Sequence, residues 1–415
     1  MLVFWDYLWL IWILSSLLFI RFYIYLLAHH SKLMAKPLKE KFGTPNILFQ
    51  VTTKGNIGIV QDTIDQINAV CKKIGYTKYN IWAVTDAQET FEGCRTVIVP
   101  PNYSCNAIHK GRALQYAIEI RRKEKISSKD VYIFHLDDES LITKQTLCSI
   151  LSYLEDNPKP ISEGLIIYPV REKEAIKISN LMDTLRPFCC FECLNMMASG
   201  NPAYIHGSNL LVRSDIEEEV SWENGKTLAE DTLFAIKARI KYGPEAFGWH
   251  GGVIEEKSPL TLKDLFKQRR RWFYGLIQNF KYFCFREQIR QSLRALIWAS
   301  GLISGIIAIT AFFIPQAIPL SFNLPLLRVF FSVTSLMWLS SYQIGAFLNG
   351  TYLPLKKRIS FHFLALVSSV AIGLLECTTP IIALISKPKT FDVIKKRDSN
   401  YEEKQKNKNK RNTYK

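Results

Sequence analysis

The sequence predicts a membrane-anchored α/β protein, and three observations carry that reading. Apolar residues concentrate toward the ends of the chain, over 2–28, 295–318, 324–348 and 359–385. Between Pro45 and about Gly248, short β-rich runs alternate with amphipathic stretches, the pattern of a largely parallel sheet with crossover helices. One of those β-rich runs closes on an acidic triplet, Asp137-Asp138-Glu139. In parallel sheets ligands sit beyond the carboxyl ends of the strands, so residues there are the first candidates for chemistry.

The apolar runs decide the broad class. Each reaches the roughly 20 residues that cross a hydrocarbon core of about 30 Å, which excludes a wholly soluble protein. Aromatic residues make up 13% of the 415, and long apolar segments bury more than ordering costs, so disorder is excluded over most of the chain. The stretch 395–415 is the exception: nine Lys/Arg and three acids leave it at +6 with scarcely an apolar side chain, a solvated tail. Nine scattered cysteines do not form an oxidised framework. Cys190 and Cys193 make a CxxC, but no second pair stands at metal-ligand spacing, so buried thiols in a reducing compartment are the expectation.

The first apolar run is too long for a signal-peptide core and lacks a small-residue cleavage pattern, so it is expected to remain as an anchor, with Arg21 snorkelling or paired. His29, His30, Lys32, Lys36, Lys39 and Lys41 follow, which places the middle of the chain in the cytoplasm. Three full C-terminal crossings would put the basic tail outside, against the same rule. The expectation is that the last run fails to cross, interrupted by Gly373, Glu376 and Pro380. The sequon at Asn349-Gly350-Thr351 abuts the basic loop Lys356-Lys357-Arg358 and is expected to be silent. These readings divide the chain into an anchor (1–28), a cytoplasmic domain (29–260), interface helices (261–294), transmembrane or re-entrant helices (295–386) and a basic tail (387–415).

Within the middle, 47–53, 80–86, 96–100, 131–137 and 164–168 read as strands, and helical patterns begin near Gln61, His109, Lys144 and Arg171. No GxxxxGK[ST] or GxGxxG is present, so any nucleotide phosphates are neutralised by other means. The Leu136–Ser140 acids repel one another unless a cation sits among them; alternatively they are a solvated turn capping the next helix. Glu230-Asp231 opens a second helical pattern, where an anion suits the helix dipole or simply caps the end. Gln268, Arg271 and Trp272 share a face of a third helix; a basic helix of this kind next to an apolar run is more often a membrane-interface helix. Lys110-Gly111-Arg112 is either a solvated face or a phosphate contact.

Taken in order, these motifs resemble the membrane-embedded family 2 glycosyltransferases of the cellulose- and hyaluronan-synthase-like kind: a strand ending at Asp86, Lys110-Gly111-Arg112, the DxD-like Asp137-Asp138-Glu139, Glu230-Asp231 and Gln268-Arg269-Arg270-Arg271-Trp272. A closer likeness is to the egghead-like β-1,4-mannosyltransferases. It rests on LDDES, LAEDTLFAIKAR, EEKSPLTLKDLFKQRRRW from Glu255, and Phe391-Asp392-Val393-Ile394-Lys395-Lys396.

The resemblance implies a GT-A-type, Rossmann-like α/β domain flanked by N- and C-terminal transmembrane helices. It implies that Asp86 contacts the nucleotide base, Lys110 lies near the donor, Asp137 and Glu139 hold a divalent metal (Mg or Mn), and Asp231 is the catalytic base. Gln268, Arg271 and Trp272 would brace diphosphate and acceptor, leaving Arg269 and Arg270 for lipid. Two departures stand out. Glu139 replaces the second Asp of DxD, and Thr52-Thr53-Lys54-Gly55-Asn56 replaces the usual acidic end of the first strand.

A sugar nucleotide needs its leaving diphosphate stabilised and the acceptor hydroxyl relieved of a proton. With no second carboxylate placed as a nucleophile, single displacement with inversion is expected, giving a β-linkage. His206-Gly207-Ser208-Asn209 reads as a stretch along the acceptor side or as a simple turn. The donor is expected to be GDP-mannose and the acceptor lipid-linked or a glycolipid, with membrane lipids rather than nucleic acid drawing the +16 charge. The alternative is a processive polysaccharide synthase using a UDP-sugar.

Overall fold

The computed structural model describes residues 45–156, 158–198, 204–223, 225–314 and 325–388, together with 20, 23, 24, 26–28 and 394. Most of the anchor run, Arg21, the basic residues 29–41 and nearly all of the tail lie outside the described residues. The chain divides into two compact units: an α/β unit within Ser31–Ile167 and Met196–Pro259, and a helical unit that includes Tyr168–Asn195 and Leu260–Thr390.

The α/β unit holds one eight-stranded sheet. Its strands are β1 (Asn46–Thr53), β2 (Tyr79–Thr85), β3 (Arg95–Ile98), β4 (Val131–Asp137), β5 (Leu141–Ile142), β6 (Ile161–Ile167), β7 (Leu210–Arg213) and β8 (Phe247–Glu255), in the order β3-β2-β1-β4-β7-β6-β8-β5. β1 pairs in parallel with β2 and β4, and β6 with β8, while β7 runs antiparallel between β4 and β6. The mixed α/β sheet matches the expected class. It is less parallel than the sequence pattern suggests, because β7 and β5 carry the reverse direction on runs too short to show a period of their own.

Five helices flank these strands in chain order: α1 (Ile57–Ile74), α2 (His109–Lys123), α3 (Lys144–Glu155), and, after two helices of the other unit, α6 (Ser214–Val220) and α7 (Glu230–Tyr242). α1 ends where Gly75 turns left-handed at φ 76° and its N–H meets the carbonyls of Cys71 and Lys72. Thr143 caps α3, its hydroxyl accepting from the Thr146 amide at 3.1 Å. Two apolar clusters hold the sheet: Leu48, Trp82, Val84, Ala113 and Ile133 in one, and Leu114, Ile118, Leu210, Phe234 and Phe247 in the other.

Strand β6 begins three residues before the expected 164, because Ser162 and Glu163 are fully buried within it. A polar pair there hides a strand from any apolar pattern. No helix begins at Arg171. The chain turns instead and starts the short α4 (Ile178–Met182) in the helical unit, followed by α5 (Arg186–Ala198).

The helical unit continues with α8 (Leu262–Asn279), α9 (Phe285–Phe313), α10 (Pro325–Asn349) and α11 (Leu355–Ile385). Thr261 caps α8 by accepting from the Asp264 amide at 3.1 Å. Its core joins Val170, Leu181 and Leu265 to Tyr342, Ala346, Phe361 and Ile372. The last apolar run corrects the expectation of an interrupted segment: α11 is a continuous 31-residue helix with Pro380 inside it. Pro380 has no N–H for the carbonyl of Glu376 four residues earlier. The indole N–H of Trp298 donates to that carbonyl at 3.1 Å, and Arg269 pairs with the Glu376 carboxylate at 3.3 Å. Gly373 also serves the packing, since a Cβ there would enter the Trp338 ring. Among the described residues α11 is the one helix long and apolar enough to cross a membrane.

Candidate active site

The carboxyl ends of β1, β2 and β4 supply the site's scaffold. Thr52 and Asp137 stand opposite each other at the ends of β1 and β4, and Asp86 follows directly on β2. Asp86 accepts from Arg112 Nη1 at 2.5 Å, while the rest of that guanidinium donates to the carbonyls of Pro100 and Tyr103 at 2.5 and 3.0 Å. Arg112 therefore fixes Asp86 from the first turn of α2. Sequence reasoning noted this arginine only as part of the Lys110–Arg112 start.

Lys110, two residues earlier on α2, forms an ion pair with Asp137 and donates to the Gly207 carbonyl at 2.8 Å. Burial would lower its pKa, but Asp137, Glu230 and Asp231 outweigh it and raise it, so the ammonium stays charged. Gly207 separates two of these groups: a Cβ there would sit 3.1 Å from Lys110 Nζ and 3.2 Å from Asp231 Oδ2. The structure thus brings Lys110, Asp137 and Asp231 around one glycine. At Asp231, Oδ1 accepts from the Thr232 amide in the first turn of α7 at 2.7 Å, and Oδ2 faces Gly207.

The acids between them differ in setting. Asp138 accepts from Asn56 Nδ2 at 2.6 Å, and its carbonyl accepts from Thr63 at 2.8 Å. Asp137 keeps about a third of its side chain exposed (37%), whereas Glu139 is 5% exposed. Ser140 accepts from the Asp137 amide at 3.2 Å and shares a 2.8 Å hydrogen bond with Ser208, which in turn accepts from the same amide at 3.3 Å. The donor set of Asp137 and Glu139 is all hard oxygen, as a divalent ion of the Mg or Mn type requires. The hydroxyls of Thr52 and Thr53, at the end of the adjacent strand, are buried without a hydrogen-bond partner. These residues fit a divalent ion, which would share Asp137 with Lys110.

In the helical unit, Gln268, Arg271 and Trp272 lie on α8 as the spacing predicts. Gln268 is 4% exposed and accepts from Arg269 Nη1 at 3.2 Å. The Trp272 ring carries two guanidinium groups, Arg186 at 4.3 Å and Arg269 at 4.6 Å from its centroid. Arg269 is not available to lipid, contrary to expectation: it is 1% exposed and paired with Asp183 and Glu376. Arg270 donates to Ser386 at 3.0 Å. Arg186 was not visible as a site residue, because nothing in its own stretch of sequence marks a partner 86 residues away.

Comparison with known proteins adds the family context. The profile of a family described as glycosyl transferase family group 2 matches residues 132–350. The β-1,4-mannosyltransferase bre-3 of Caenorhabditis elegans is 30% identical over 262 residues, 59% of this chain and 54% of that protein. The β-1,4-mannosyltransferase egh of Drosophila melanogaster is 28% identical over 269 residues, 62% of this chain and 58% of that protein. The chain spans a little over half the length of the curated relatives it matches. A solved structure, the mannosyltransferase PcManGT of Pyrobaculum calidifontis in complex with GDP-Man and Mn2+, is similar over 91% of this chain and 98% of its own, at 14% identity and a TM-score of 0.44. That likeness is too loose to carry an argument about donor or metal.

Proposed function

The chain belongs to glycosyl transferase family group 2, and from that premise we propose that it is an inverting β-mannosyltransferase, taking mannose from GDP-mannose to a hydroxyl of a membrane-associated glycan or glycolipid. The observation that carries this reading is the meeting of Lys110, Asp137 and Asp231 around Gly207. One cation stands between the carboxylate suited to the donor's side and the carboxylate suited to an acceptor proton. Mannose as the transferred sugar follows the relatives, whose names give that activity.

Asp231 takes the proton of the acceptor hydroxyl through its Oδ2 as the new bond to the anomeric carbon forms and the bond to the donor's diphosphate breaks. The electron pair leaves with the diphosphate. Lys110, held charged by its acidic neighbours, offers it a positive group that needs no reorganisation. A divalent ion on Asp137 and Glu139 would supply further neutralisation of the same leaving group. Asp86, steadied by Arg112, binds the base.

Membrane association is part of the proposal, with the α/β unit on the cytoplasmic side. It is supported by α11 and by the apolar side chains turned outward on the long helices, including Phe313 at 74%, Leu326 at 68% and Ile385 at 80% exposure. Water would penalise such faces, whereas lipid tails would not. The test is to give membranes containing the full chain radiolabelled GDP-mannose, or UDP-sugars in parallel, and determine the linkage of the product. β-Mannose from GDP-mannose alone is expected. Transfer from a UDP-sugar only, or an α-linked product, would sink the reading.

A further inference from the structure

The turn His206–Asn209 joins Lys110, Asp137 and Asp231 of the α/β site, and what holds it from behind is a buried acid. Each of its four residues makes a separate tie. Gly207 touches Lys110 and faces Asp231, and Ser208 holds Ser140 and the Asp137 amide. Asn209, itself fully buried and left-handed at φ 57°, donates to the carbonyls of Leu165 and Gly252, both at 3.0 Å. His206 donates its backbone N–H to Glu163 Oε1.

Glu163 reaches that amide because β6 is irregular. The register against β8 shifts between Glu163 and Leu165, and such a bulge re-aims one side chain. The intervening Gly164 leaves no room for a Cβ, which would strike the Gly252 carbonyl. Glu163 is 0% exposed. Its Oε2 has no hydrogen-bond partner, and the Nδ1 of His206 lies 3.9 Å from Oε1. An isolated carboxylate could not be left so dry; burial first, and then the nearby Asp231, raise its pKa well above the ordinary carboxyl range, against the lowering effect of the His206 amide. Burial thus favours the neutral acid, with Oε1 as the acceptor of the His206 amide.

We propose that Glu163 is a positioning residue for glycosyl transfer: by holding the His206 amide it fixes the His206–Asn209 turn, and through Gly207 and Ser208 it sets where Asp231, Lys110 and Asp137 stand relative to one another. The proposal rests on the transferase reading for its kinetic readout and on the turn's geometry for its physical one. If the acid acts uncharged, an amide of the same shape replaces it. Removing the acceptor, by contrast, frees the turn.

The test compares the full chain with Glu163→Gln and Glu163→Ala in membranes. Glu163→Gln is expected to keep kcat within about threefold and to leave the pH profile of transfer in place. Glu163→Ala is expected to lower kcat by about 10–100-fold with little change in donor KM, as a misplaced base would. Hydrogen exchange read by mass spectrometry should show faster exchange over 205–210 in Glu163→Ala and none in Glu163→Gln. That readout needs no activity, so it stands even if no sugar is transferred, an outcome that would sink the transferase reading alone. If Glu163→Ala fails to fold, Glu163→Gln decides by itself. A collapse of its kcat, or a displaced acid limb, would show that Glu163 works through its charge or its proton and overturn the proposal. So would wild-type exchange and kcat in Glu163→Ala.

Discussion

Among the described residues of the α/β unit, Ile57 and Ile240 are the large apolar side chains that stay exposed, while in the helical unit Phe313, Leu326, Leu355, Phe363 and Ile385 all turn outward. Each unit nevertheless hides an arginine. Arg121, 1% exposed, meets Glu217 at 2.6 Å with His135 3.0 Å away on the same carboxylate, and Arg269 meets Asp183 and Glu376. The same buried chemistry therefore sits inside two surfaces of opposite character. Buried ion pairs say little about surroundings; outward apolar faces say a great deal. The α/β unit also carries a third set of charges, the partly exposed Lys110, Asp137 and Asp231, to which the proposed chemistry is assigned.

The largest effect should come from that third set. Asp231→Asn is expected to lower transfer by about 10²–10⁴-fold, the range for loss of a general base, while donor binding stays near wild type because the proton moves only on the way to the transition state. Donor titration beside single-turnover kinetics checks it. If donor binding fell by the same factor, Asp231 would belong with Arg121 and Arg269 as a structural charge, and the distinction would collapse.

The next effect compares the hidden arginines directly. Truncating either, as Arg121→Met or Arg269→Met, takes the guanidinium away from a buried carboxylate and is expected to cost about 3–5 kcal/mol, less at Arg121, where His135 and the Trp222 indole still meet Glu217. Pairing Arg269→Met with Asp183→Leu should recover much of the loss, since a packed apolar pair can replace an ion pair. Thermal unfolding of the full chain in detergent reads both. A double variant no better than the single would mean that Arg269 holds Trp272 as much as it holds Asp183.

These predictions bear on what the sequence could carry. The strand-end acids were legible because Val131-Tyr132-Ile133-Phe134 is apolar and then stops at charge, a contrast visible within seven residues. Helix α8 was legible because Gln268, Arg271 and Trp272 fall on one face. The His206–Asn209 turn and Glu163 were not assignable. Their roles depend on a bulge in β6 and on contacts across more than 40 residues, and Ser162-Glu163 reads locally as the edge of a loop. Pro380 misled for a related reason: the donor that replaces its missing N–H is an indole 78 residues away.

A smaller effect follows from pH. Burial lowers the pKa of His250 to about 4, so the folded state refuses a proton that the unfolded chain accepts near 6.5. Stability from this group is complete above pH 6.5 and is lost as pH falls toward 4, by about 2 kcal/mol between pH 7 and pH 5. Glu163 has the opposite sign: its raised pKa penalises folding as pH rises above the ordinary carboxyl value, so acidification helps. Glu217, held at about 2 by Arg121 and His135 despite burial, enters only below about pH 4.5. Glu163→Gln is therefore expected to lose stability more steeply than wild type between pH 7 and pH 5. Parallel slopes would show that Glu163 is ionised in the folded chain.

The smallest effect tests the repair at Pro380. In water a lone indole N–H to carbonyl hydrogen bond contributes about 1 kcal/mol, and inside the helical unit the Glu376 carbonyl has no helical N–H to turn to. Trp298→Phe removes that donor while keeping most of the ring that packs edge-on against Phe273 at 5.5 Å. It should cost about 1 kcal/mol in the wild-type background. Pro380→Ala restores an N–H to the helix at that carbonyl, so Trp298→Phe should cost only its packing there, and the two substitutions together should be less damaging than their separate effects added. Unfolding of all four proteins in one detergent closes the cycle. Strict additivity would mean that the indole is held by packing alone, that the Glu376 carbonyl is satisfied without it, and that α11 tolerates Pro380 for some other reason than Trp298.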